Sequence, residues 1–155
     1  MRNKTIPIIM MALMGALVAL PAIAAKTPLP TIGGKPGVGL PSDLLVAYEK
    51  VSLALANDHF AAAKTTAAAL PEKAREDGNQ TIARHADALA KSDSLEAARE
   101  HFKAMADEAA KLDQGTAYHV VQCPMAKANW VQSGDKIMNP YLGKKMQQCG
   151  SIVKR

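Results

Sequence analysis

The chain has 155 residues, of which 48% are hydrophobic and only 4% aromatic, with two cysteines and a formal net charge of +5. That length fits one domain plus a short leader. The basic excess lacks interleaved aromatic residues, which together with the export signal described next excludes nucleic acid as a partner.

Residues 1–24 read as a secretory signal peptide. Arg2 and Lys4 form a positive start, Ile8 to Leu20 is an uncharged apolar run, and Ala22-Ile23-Ala24 is a small-x-small cleavage site, with cleavage after Ala25 as the alternative. The apolar run is short for a spanning helix and a cleavage site follows it, so no stable membrane insertion is expected after processing. No cysteine stands at the cleavage point, so a lipoprotein is not indicated. The mature protein is expected in a periplasm or outside the cell, and loss of Arg2 and Lys4 takes its charge from +5 to +3. Residues 25–41 hold Pro28, Pro30, Gly33, Gly34, Pro36, Gly37, Gly39 and Pro41, and read as a linker.

Residues 42–115 read as helices. Ser42 is a candidate N-cap, after which Leu44, Leu45, Tyr48, Val51, Ser52 and Leu55 recur at helical spacing. Asp58 is placed as the cap of a second helix holding Phe60, Ala63, Ala67 and Leu70, with Pro71 in the first turn of a continuation or at a kink. Asp77-Gly78-Asn79 signals a turn before a third helix over 80–91. Asp93 with Glu96 reads as a capping box for the clearest helix, whose stripe is Leu95, Ala98, Phe102, Met105, Ala109 and Leu112, ending at Asp113-Gln114-Gly115. Short connections and abundant alanine predict a mainly α fold: a small antiparallel helical bundle.

The composition changes at Thr116. Tyr118, Val120 and Val121 suggest a short strand, Cys123-Pro124 opens a loop, Asn139-Pro140 turns into a helix over 141–148, and Ser151 to Val153 runs back as a second extended piece. Residues 116–155 thus form a Cys/Met segment, within one domain over 42–155. Its excess of Lys127, Lys136, Lys144, Lys145, Lys154 and Arg155 over Asp135 reads as a solvated face, with docking to an acidic partner or a membrane surface as the alternative.

Chemistry concentrates in this segment. Cys123 and Met125 are two apart, so an extended loop points both the same way; Met146 and Cys149 are three apart, so a helix puts both on one face. Two soft pairs that converge suit Cu(I), with silver satisfying the same ligands, and His119 is a candidate further ligand. The same cysteines could instead form a disulfide in an oxidising compartment, worth about 3 kcal/mol to a small domain. Both readings stay open at this point. Met125 and Met146 could alternatively fill gaps under Trp130. No acid/base constellation, haem, redox, phosphate-loop or zinc-helix motif accompanies the cysteines, so no enzyme is expected.

Cys123-Pro124-Met125-Ala126, the nearby Trp130, Asn139-Pro140-Tyr141-x-Gly143-x-x-Met146 and the closing Cys149-Gly150 resemble a family of exported bacterial domains, the domain of unknown function numbered 3347. The stretch from Ala97 to Ala104 is similar too. Such domains occur alone or at the C-terminus of periplasmic adaptor subunits of heavy-metal efflux pumps. The resemblance implies a helical bundle followed by the Cys/Met motif, copper handling with periplasmic efflux components as partners, and Cys123, Met125, Met146 and Cys149 as the metal residues. This chain has a shorter stretch, Ala126 to Asn129, between the Cys-Pro-Met and the tryptophan.

Overall fold

The structure, a computed structural model, describes residues 43–112 and 114–154. The expected signal peptide, linker and Ser42 cap, and the residues Asp113 and Arg155, lie outside the described residues.

Five helices come first: α1 (Asp43–Ala56), α2 (Phe60–Ala68), α3 (Leu70–Glu76), α4 (Gln80–Lys91) and α5 (Leu95–Ala109). Three strands follow: β1 (Tyr118–Cys123), β2 (Ala128–Ser133) and β3 (Ser151–Lys154). They form one antiparallel sheet in the order β2-β1-β3. The fold is therefore mixed α/β, and the expected mainly α bundle is corrected. The strand missing from the sequence reading is β2. Its Ala128, Trp130 and Gln132 share one sheet face and Asn129, Val131 and Ser133 the other, with both Trp130 and Val131 fully buried. A strand covered on both faces lacks the apolar/polar alternation that would announce it.

The caps differ in detail. Pro71 sits in the first turn of α3, and the Asn79 side chain caps α4 by accepting from Ile82 N–H. Asp58 does not cap α2; it adopts a left-handed backbone, φ 56°, while His59 takes the cap position without a side-chain bond. Ser94, not Asp93, caps α5 by accepting from Ala97 N–H. Ser and Asp are comparable caps, so their adjacency left the choice to the chain path. The α5 stripe is as expected: Ala98, Phe102, Met105 and Ala109 are fully buried, and Leu95 and Leu112 are partly so.

Helices and sheet share one core, and α5 packs both on α4 and on β2. A row of aromatic rings joins the layers. Tyr48 stacks on Phe102 at 5.0 Å, Phe102 meets Tyr141 at 5.9 Å, and Tyr141 meets the edge of Trp130 at 6.0 Å. Each such pair adds about 0.5–1.5 kcal/mol beyond burial. The outer edge of β2 is closed by side chains rather than by a further strand. Val131 N–H donates to the Tyr48 hydroxyl, Ser133 N–H donates to the Glu49 carboxylate at 2.7 Å, and the Asn129 carbonyl accepts from the Tyr141 hydroxyl. An edge strand left open would expose these groups to pairing with another chain.

The expected helix over 141–148 is replaced by a single 3-10 turn at Gly143–Lys145 inside an irregular loop. Gly143 has φ 55°, and a Cβ there would collide with the Asp58 carboxylate and the Arg99 guanidinium. Gly150 has φ 148°, and its Cβ would sit 2.7 Å from the Trp130 ring and 3.2 Å from the Gln122 carbonyl. The loop thus lies with bare backbone on the tryptophan. An added methyl at Gly134, with open space around it, is expected to cost about 1–2 kcal/mol through its positive φ alone. Gly150→Ala is expected to cost about 1–3 kcal/mol more than that, because the loop must lift off Trp130. Urea unfolding of the two variants side by side measures the difference.

Candidate soft-metal centre

Cys123 ends β1 and pairs with Ala128 across a hairpin whose tight loop is Pro124 to Lys127. Lys127 N–H donates to the Pro124 carbonyl, and Lys127 takes φ 48° to close the turn. This winding brings the turn's amides back over the cysteine, and Ala126 N–H donates to Cys123 Sγ at 3.4 Å. Successive N–H groups aimed at one atom favour negative charge there.

Cys149 arrives from the other side, at the end of the loop. The loop is organised around Asn139, whose side chain is fully buried. Its Oδ1 accepts from Tyr141 N–H at 2.8 Å and Leu142 N–H at 3.0 Å, its Nδ2 donates to the Cys149 carbonyl at 2.6 Å, and its backbone N–H donates to the Gln147 carbonyl. One side chain therefore holds both ends of the loop. Further anchors run to the helices. Gln147 Nε2 donates to the Ala56 carbonyl at 2.8 Å, and Arg99 donates to the Pro140 and Leu55 carbonyls and pairs with Asp58. Asp58 in turn accepts from Lys144 N–H at 3.1 Å.

The result is two free thiols in contact: Cys123 Sγ lies 3.0 Å from Cys149 Sγ, well beyond the ~2.05 Å of a covalent bond. They are unlike each other. Cys123 is fully buried and Cys149 half-buried. Burial opposes ionisation of Cys123, but the Cys149 thiol, the Ala126 and Met125 N–H groups and the Asn139 side chain together hold it below the ordinary thiol value. Cys149 is pushed up, first by its hydrogen bond to Cys123 and then by desolvation and the charge on that neighbour. The pair is thus poised as one thiolate-prone acceptor and one thiol donor.

The two cysteines of the sequence reading are brought together, by a route different from the expected one. Met146 and Cys149 share no helix face; they flank a turn in which Cys149 N–H donates to the Met146 carbonyl at 3.0 Å. Cys123 and Met125 do not point alike, since one is buried and the other 62% exposed. Met125 is therefore no gap-filler under Trp130, while Met146 is 37% exposed. His119 is not brought to the thiols. It shares a sheet face with Cys123 but stands four residues back along β1, about 13 Å at the rise of a strand, with Val121 between. Its Nε2 is 3.8 Å from the Asp135 carboxylate. Among the described residues, no three His, Cys, Asp or Glu side chains gather to hold a metal.

Asn139, Arg99, Asp58 and Gln147 position the site; the sequence marked Asp58 as a cap and Asn139 as a turn, but gave none of the four a place in the site. The Asn-Pro dipeptide was a visible turn signal, but its long-range bond to Cys149 was not. No family model, curated protein or solved structure matches the chain.

Two outcomes follow from the geometry. Asn139→Ala strips partners from three backbone groups and is expected to cost about 3 kcal/mol or more, read by chemical denaturation. Cys149→Ala removes a donor to Cys123, so the midpoint of Cys123 ionisation, followed by thiolate ultraviolet absorbance, is expected to move up relative to the reduced wild type.

Proposed function

We propose that this is an exported, non-enzymatic protein that binds a soft monovalent metal ion, Cu(I) with silver as the chemical equivalent, through Cys123 and Cys149 with Met125 and Met146 beside them. The observation that carries this reading is the company of the thiol pair. Two thioethers stand on the two turns that flank it, Met125 largely in water and Met146 about a third exposed. Thiolate and thioether ligands select Cu(I), which accepts few ligands, over hard cations. A tetrahedral zinc site is a poor match, because no third Cys, His, Asp or Glu joins the pair among the described residues. An ion between the sulfurs requires them to part from their present contact. Cys149, partly exposed and outside the β-ladder, is the side chain with more room to do so.

The signal-like first 24 residues and the resemblance of the 123–150 motif to family 3347 support a periplasmic setting. They also support either sequestration of the ion or its delivery to periplasmic components of a heavy-metal efflux system. No described helix is long and apolar enough to cross a membrane. The second reading is a structural or interaction module stapled by a Cys123–Cys149 disulfide without metal. The 3.0 Å sulfur contact favours it specifically.

Anaerobic titration of the reduced protein with Cu(I) against a strong chelator separates them. One tight site is expected in the wild type and none in Cys123→Ser/Cys149→Ser. Met125→Leu/Met146→Leu is expected to weaken binding by about tenfold, or ~1.4 kcal/mol. Equal affinity of the wild type and the double serine variant would leave only the staple.

A further inference from the structure

We propose that Cys123 and Cys149 form a reversible disulfide couple that exchanges with an external dithiol, the incoming sulfur attacking Cys149 and Cys123 departing. The consequence for metal binding, that only the reduced chain offers its thiolates, rests on the function proposed above; the exchange chemistry does not.

The contact of the sulfurs makes closure a local event. At 3.0 Å, a bond between Cys123 Sγ and Cys149 Sγ needs about an ångström of approach to reach covalent length. Direction then follows from the unlike surroundings. An attacking thiolate must reach the sulfur it joins, and Cys149 is partly exposed whereas Cys123 is fully buried. The sulfur that leaves must carry the electron pair. Cys123 Sγ already receives Ala126 N–H at 3.4 Å within the turn that closes over it, a donor that favours charge on the departing sulfur. Access and leaving-group stability, the two factors that select the attacked sulfur, agree on Cys149.

Reduction runs in two balanced steps. A thiolate of the incoming dithiol bonds to Cys149 Sγ, the Cys123–Cys149 bond breaks, and its electron pair goes to Cys123 as thiolate. The second thiol of the partner, as thiolate, then attacks its own sulfur in the mixed disulfide, and Cys149 leaves and takes up a proton. The partner ends as a disulfide and this chain as a dithiol, and a partner disulfide oxidises it by the reverse steps.

The test uses the full chain, oxidised with a small disulfide and shown by intact mass to lack free thiols. It is mixed with excess glutathione, acid-quenched at early times, alkylated and mapped by peptide mass. Glutathione is expected on Cys149 and the alkyl group on Cys123, with a preference of about tenfold or more. Glutathione on Cys123, an even split, or failure to form the intramolecular disulfide overturns the proposal. As a second measurement, an aromatic disulfide is expected to react faster with Cys123→Ser, which retains Cys149, than with Cys149→Ser; the opposite order also counts against it. Cu(I) titration of the reduced wild type stands apart: no binding there, with exchange directed to Cys149, sinks the metal reading and keeps this one.

Discussion

The buried amide of Asn139 is the constraint on which the motif end of the molecule depends. An amide with no exposure has to satisfy its hydrogen-bonding groups inside the protein or cost several kcal/mol. Here its oxygen holds the Tyr141 and Leu142 amides and its nitrogen holds the Cys149 carbonyl. Because those partners lie at opposite ends of the loop, satisfying one side chain fixes the position of Cys149 relative to the turn that carries Tyr141. Tyr141 then reaches Asn129 on β2 and packs between Phe102 and Trp130. The loop needs no helix of its own, since its order is borrowed from the sheet and from α5.

The helical half contributes through Arg99. Its guanidinium bonds two carbonyls and the Asp58 carboxylate, linking α5, the end of α1 and the loop. Asp58 is held in a left-handed backbone and its carboxyl lies below the usual range, burial being outweighed by the Arg99 and Lys144 bonds. With Asp58 more than a third exposed, the ion pair itself adds little to stability. Its value is positional: Gly143 fits under this clasp only because it lacks a Cβ.

How much of this was legible in the sequence depends on the range of the interaction. The α5 stripe, the break around Asn57–Asp58, the Asn79 turn, β1 and β3 all follow from patterns within a few residues, and they are where the sequence places them. The Cys/Met clustering was legible as residue types. Its geometry was not, because the assumed helix over 141–148 rested on spacing alone. Nothing local says that Gly143 takes a positive φ against Asp58 and Arg99, which breaks helical geometry inside 141–148. Strand β2 was missed for the related reason that its cover comes from residues remote in sequence: α5 packs on it, and Tyr141 and Gly150 lie against Trp130.

Holding two thiols in contact has opposite effects on the two uses proposed for the site. The hairpin and Asn139 have already restricted the sulfurs in the folded chain, so closing the disulfide forfeits little further freedom. The same restriction helps a metal only if the ion's affinity exceeds the cost of parting the sulfurs. The exposed thioethers of Met125 and Met146 bear on that balance from one side alone, since they can add to the binding of a soft ion and add nothing to a disulfide.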